Sequence, residues 1–137
     1  MARIDRNELL AKVQELLEPH KGGRQLASYP DSVAEFKAKY LKSKHGAWVV
    51  GYAGSQIALA DEATRARLLA VDISVISRKL SSDTGALSDV ELIDEELDGA
   101  RFMLSGVAYE IEYQSDSFLD EVDSVWYYKV RLVAFPL

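Results

Sequence analysis

Two histidines, a crowd of carboxylates and a scatter of serines are the residues of this chain whose chemistry could reach beyond structure. His20 and His45 lie in polar connections, and neither has a second histidine at a metal-ligand spacing. Each reads as an exposed loop histidine, not a ligand or a general base. Asp89, Glu91, Asp94, Glu95, Glu96 and Asp98 crowd one predicted helix. Carboxylates do acid–base work or hold a cation when they converge on a point. This spacing instead spreads them round a polar face, with several in the first turns, where the helix dipole favours acids. They read as a solvated acidic face. "DSFLDEVD", Asp116 to Asp123, gathers more acids but lacks the central glycine and ligand spacing of a calcium loop. "GYAGS", Gly51 to Ser55, is neither a phosphate loop nor a dinucleotide fingerprint, and reads as a turn ending a strand. No serine sits in a G-x-S-x-G elbow. The chain carries no catalytic constellation, so the expectation is a protein that is not an enzyme and needs no cofactor or metal.

The elements that position these residues are bounded by composition. A chain of 137 residues suits one domain. With no cysteine it has no thiolate catalysis and no disulfides, which fits folding in a reducing compartment. No apolar run approaches the roughly 18 residues of a transmembrane helix, and "MARIDRNELL" lacks the apolar stretch of a signal peptide. A net charge of −6 argues against a general nucleic-acid binder. That charge is unevenly spread. His20 to His45 holds six basic residues against two acids, a net of +4, whereas Ser81 to Asp123 holds thirteen acids against Arg101, a net of −12.

"DRNE", Asp5 to Glu8, is a capping-box pattern, and Leu9, Val13, Leu16 and Leu17 follow at helical spacing as far as Pro19. This predicts a first helix over Asp5 to Glu18. "RQLASYP" reads as an edge strand ended by Pro30. Val33, Phe36 and Tyr40 in "DSVAEFKAKYLKSK" predict a second, basic helix. "AWVVGY", Ala47 to Tyr52, reads as a buried strand. In "TRARLLAVDISVISRKL", Thr64 to Leu80, Leu69, Val71, Ile73 and Val75 alternate with Ala70, Asp72 and Ser74. A strand of that extent must bend at a bulge or project beyond the domain. "SDVE", Ser88 to Glu91, is a second capping box, and Val90, Ile93, Leu97, Ala100 and Leu104 keep helical spacing up to Gly106. "VAYEIEYQS" and "VWYYKVRLVAF" are two further strands, joined by an acidic loop. In the last, Trp126 and Tyr128 read as core aromatics. The order predicts an α+β fold, a mainly antiparallel sheet with about three helices, two or more packed on one face.

The sequence also resembles the tail-terminator family of Mu-like tailed bacteriophages and prophages. The resemblance runs through "LLEPHKG", "LASYP", "GAWVVGYAGS", "TRARLLAVDISVISRKL", "LDGARFMLSG" and "VWYYKVRLVAF", and so covers most of the chain. The family's glutamine–arginine pair before the long strand reads Ala66–Arg67 here, and the basic "EFKAKYLKSKHG" insert is longer than the family pattern. The resemblance implies a hexameric ring on the head-proximal end of the tail tube. Such a ring stops tube growth and offers the surface that joins the head or neck. Its partners would be further copies of itself, the tail tube protein, and sheath and neck or head-completion proteins, with no membrane involved. DNA would pass through the lumen without specific binding, and the subunit would be made in the host bacterial cytoplasm and end in the virion tail. Another neck or head-completion protein is the alternative, and a small enzyme or ligand-binding domain ranks last for want of a nucleophile–base pair.

A closed ring joins two different surfaces of each subunit. The basic region, with Lys37, Lys39 and Lys42, and the acidic region, with Glu95, Asp98 and Asp120, supply one complementary pair, though each reads equally well as an independent solvated face. Acidic side chains lining the lumen to repel DNA are a second use for the same charge. Arg65, Arg67, Arg78 and the adjoining Lys79 would carry the ends of the long strand toward a neighbour or the tube, or serve only surface solubility.

Overall fold

The computed structural model describes residues 4–30, 32–40, 45–59 and 65–137. Helix α1, Arg6–Leu17, leads through a 3₁₀ turn, Glu18–His20, to strand β1, Gln25–Ser28, and helix α2, Val33–Tyr40. Two long strands follow, β2 at Ala47–Leu59 and β3 at Arg65–Ser77, then helix α3, Ala86–Leu97. Strands β4, Arg101–Leu104, β5, Val107–Val122, and β6, Val125–Pro136, close the chain. They form one six-stranded sheet in the order β1-β2-β3-β6-β5-β4. Every pairing is antiparallel except β1 with β2, which the crossover through α2 makes parallel. The α+β expectation holds.

Successive strand residues point to opposite faces, so this sheet has two cores. On one face, Leu9, Val13 and Leu17 of α1 and Val90, Ile93 and Leu97 of α3 pack on Trp48, Val50, Leu69, Val71, Ile73, Val75, Val130 and Leu132. The opposite face carries a smaller cluster in which Phe36 of α2 meets Ala47, Val49 and Ile76. α2 therefore lies across the sheet from the other two helices. In β6 the set predicted to share a face does so: Trp126 and Tyr128 lie half-buried against the larger core, in line with Val130, Leu132 and Ala134.

Several local expectations are corrected. Asp5 caps α1, accepting from the Asn7 and Glu8 N–H groups, but Glu8 does not close a box. Its carboxylate instead takes the Ser105 backbone N–H, tying α1 to the β4–β5 turn. "GYAGS" does not end a strand, because β2 continues through it with Ala53 as an extra bulged residue and Gly54 at φ +130°. α3 begins at Ala86 with Gly85 as its cap, so Ser88 lies inside the helix, bonded to the Ser82 carbonyl. It ends at Leu97, well before Gly106, since Gly99 at φ +82° turns the chain into β4. The acidic stretch from Asp116 is strand β5, not loop. The turn joining β5 to β6 is only Asp123–Ser124, both at positive φ (51° and 65°), as a right-twisted two-residue hairpin demands.

The long strand projects beyond the domain at its N-terminal end, and the register shift against it lies in β2. β6 pairs with β3 only from Leu69 onward, so Gln56–Leu59 and Arg65–Leu68 pair with each other alone. Four residue pairs thus extend past β6 as a two-stranded ribbon, about 13 Å of chain at ~3.3 Å per residue. Thr64 lies outside the described residues. Because a non-glycine residue pays to hold the left-handed region, replacing Ser124 by glycine is expected to raise unfolding stability by about 1 kcal/mol, read from urea denaturation midpoints.

Candidate interaction surfaces

Asp89, predicted to be a solvated member of an acidic face, is buried, with 1% of its surface exposed. α3 starts three residues earlier than the capping-box pattern suggests, and Asp89 lies one turn from both Ala86 and Ile93, on the buried face of the helix. Arg24, in the connection before β1, donates two parallel hydrogen bonds to it, Nε to Oδ2 at 3.0 Å and Nη2 to Oδ1 at 2.6 Å. The Trp48 indole N–H donates to Oδ2 at 3.1 Å, and the Arg24 guanidinium lies 5.0 Å from the centre of the Trp48 ring. Burial pushes the Asp89 carboxyl up from its ordinary range, opposed by the bonds and charge of Arg24 and by the Trp48 bond. The arrangement is a closed three-way tie between the chain before β1, α3 and β2. Arg24, counted in the basic region, is thus spent inside the molecule.

The opposite face carries a hydroxyl cluster that no local pattern of residues marks. Tyr29 lies across Gly51, whose missing side chain leaves the ring room: a Cβ there would sit 2.6 Å from the Tyr29 Cδ2. The ring stacks on Phe36 at 4.9 Å, and its hydroxyl bonds Ser74 Oγ at 2.5 Å and the Tyr127 hydroxyl at 3.0 Å. Burial pushes the Tyr29 phenol up, so it stays protonated and serves as a structural pin. Next to it on the sheet, Arg131 and Asp72 form a bidentate pair at 2.8 Å for both bonds.

The predicted interface residues do not gather. Arg65 and Arg67 stand on the ribbon, whereas Arg78 and Lys79 follow the far end of β3, about 40 Å away at ~3.3 Å per residue. Lys37 and Lys39 lie exposed on α2, Lys39 paired with Glu35 at 3.0 Å, and Lys42 lies outside the described residues. Glu95 and Asp98 are exposed on and just after α3, Asp98 accepting the Tyr113 N–H at 2.9 Å. Asp120 is exposed on β5. His20 is half-buried 3.2 Å from Glu96, while His45 is exposed as expected. Among the described residues no group of histidine and acidic side chains is gathered for a metal, and no helix is long and apolar enough to cross a membrane.

The sheet has two partly open edges, which no local pattern in the sequence marks. β1 covers β2 only along Ala47–Val50, and Tyr29 adds one bond to the Val50 carbonyl. From there to Leu59, no strand among the described residues pairs with β2 on that side. β4 covers β5 from Val107 to Glu110, the chain at Gly99 and Ala100 bonds Ile111, and the Asp98 carboxylate takes the Tyr113 N–H. From Gln114 to Val122 the outer edge of β5 has no strand partner among the described residues.

The family model described as Gp37 protein matches residues 13–137. The chain belongs to the Gp37 family. A search of curated protein sequences gives no match to this Gp37-family chain. Among solved structures, a chain of the "Virion of native gene transfer agent (GTA) particle" superposes on it with a TM-score of 0.61. That match covers 93% of each chain at 17% sequence identity, a likeness of fold. In this Gp37-family fold the Arg24–Asp89 pair is a buried ion pair, with 13% and 1% of the two side chains exposed. Asp89→Ala, which strands a largely buried guanidinium, is expected to cost about 3–5 kcal/mol. Asp89→Asn, which keeps a carbonyl acceptor for Trp48, is expected to cost less, both read by chemical denaturation.

Proposed function

We propose that this Gp37-family protein is a structural component of a phage or gene-transfer-agent-type particle, acting without catalysis. Within that class we propose a tail terminator: a hexameric ring on the head-proximal end of the tail tube that stops tube growth and receives the neck. The observation that carries the reading is the fold likeness across 93% of both chains to a chain of a virion particle. The resemblance of "GAWVVGYAGS", the long β3 strand and "VWYYKVRLVAF" to tail terminators supports the finer assignment.

The mechanism is one of surfaces. A ring closes when two unlike faces of each subunit meet, repeated by rotation. A terminator must then match the end of the tube on one side and differ from it on the other, so that the next tube ring finds nothing to bind. The net charge of −6 suits a lumen that lets DNA slide past without capture.

Negative-stain imaging and sedimentation of the purified protein, alone and with polymerising tail tubes of the same particle, test the proposal. The expected result is rings at one end of tubes whose length stops increasing. Tubes that keep growing with their ends bare would remove the terminator assignment in favour of a neck or head-completion role.

A further inference from the structure

We propose that two copies of this chain join head to tail, the β2–β3 ribbon of one docking on the β5–β6 hairpin of the next. The inference deepens the ring reading and rests on it only for closure; the contact itself needs two copies and nothing else.

The first argument is the contrast between the two open edges. Natural sheets guard exposed edges with charges, prolines, bulges or a cover. The open part of β5 is guarded twice over: Gln114 and Leu119 are bulged out of register, and Asp116, Asp120 and Glu121 line it. The open part of β2 past its single bulge reads Ser55-Gln56-Ile57-Ala58-Leu59, without charge or proline. Left bare, such an edge is an association site, and a second copy of this chain is always at hand to cover it.

The second argument is where exposed apolar side chains fall. Ile57 on the ribbon is 53% exposed. Phe118, Leu119 and Val122 on the hairpin are 54%, 43% and 56% exposed, and Phe118 lies against Trp126 and Tyr128 at 6.1 and 5.5 Å between ring centres. An aromatic shelf with its outer member in solvent has the composition of an interface centre. The two patches lie at opposite ends of the strands and on different edges, so one copy cannot satisfy both by itself.

Charge bears on the pairing. The described strands of the ribbon carry Arg65 and Arg67, the sequence joining them carries Asp61 and Glu62, and the hairpin from Asp116 to Val130 carries four acids against Lys129. Hairpin against hairpin sets acids against acids, whereas the ribbon, its two arginines balanced by two acids, brings no net charge to repel the hairpin, which favours the unlike contact. A contact between unlike surfaces leaves both ends of the pair open for a third copy.

The chain has no cysteine, so single cysteines report the geometry cleanly. Ile57→Cys and Leu119→Cys change exposed side chains, and thermal unfolding checks that both variants stay folded. With a short bismaleimide, the mixture of the two is expected to give at least about tenfold more covalent dimer than either alone. In sedimentation velocity the unmodified chain is expected to associate at low ionic strength, weaken near 1 M salt, where the Debye length falls to about 3 Å, and lose about tenfold or more in affinity with Phe118→Asp. Cross-linking of either variant with itself as efficient as the mixture would overturn the proposal, as would a chain that stays monomeric throughout. Tubes growing past a chain that cross-links as described would remove the terminator reading alone, and capped tubes without the Ile57–Leu119 link would remove the docking alone.

Discussion

The ladder from β2 through β3 to β6 is the constraint on which the rest of the molecule depends. β3 pairs with β2 along its whole length and with β6 over Leu69–Ser77, and its side chains reach both cores. Burying each of Leu69, Val71, Ile73 and Val75 contributes roughly 1.5–3 kcal/mol. Exposed ion pairs such as Lys39–Glu35 contribute at most about 1 kcal/mol. The sheet is therefore placed by its central strand, and the charged surface is left free to serve other ends. The Arg24–Asp89–Trp48 tie works on that frame, fixing where α3 and the chain before β1 meet β2.

From this constraint follows the uneven coverage of the sheet. β1 and β4 are only four residues each, and they cap opposite ends of far longer neighbours. One long strand is left open at the ribbon end and the other at the hairpin end. A sheet open on diagonal corners is a poor design for a solitary domain and a serviceable one for a repeating unit. This is the link from packing to the proposed function: the described part of the sheet leaves lengths of β2 and β5 without a strand partner and exposes Ile57, Phe118 and Val122 beside them.

Much of the fold was legible in the sequence because period and punctuation agreed. The alternation in β3 and β6 gave their faces, and the capping aspartate with Leu9, Val13 and Leu17 gave α1. The failures have identifiable causes. Ala100 and Leu104 continue the helical period of α3 by coincidence, although the chain is already extended at Asp98 (ψ 123°) and turns at Gly99 with its positive φ. Two glycines made a bulge in β2 look like a turn, and acids in β5 made a strand look like a loop, since nothing on that edge demands apolar residues. Asp89 looked like any acid on a charged helix, because its partner Arg24 is 65 residues away and pairing at that distance leaves no local mark. The charge asymmetry was read as two whole regions, but Arg24, Lys21 and Lys39 are each engaged within their own subunit, with Asp89, Glu18 and Glu35. The open edges were invisible, because sheet order is a property of tertiary contacts.

Backbone hydrogen exchange tests the central proposal, that the β2–β3 ribbon of one copy docks on the β5–β6 hairpin of the next, most directly. In dilute protein, Leu69–Ser77 should exchange slowest, while the outer amides of Gln114–Val122 and of Ser55–Leu59 exchange fast, as unpaired edges do. In the assembled state both edge segments should slow together while the core stays as it was. Edge amides that exchange equally fast in dilute and assembled protein would contradict the account.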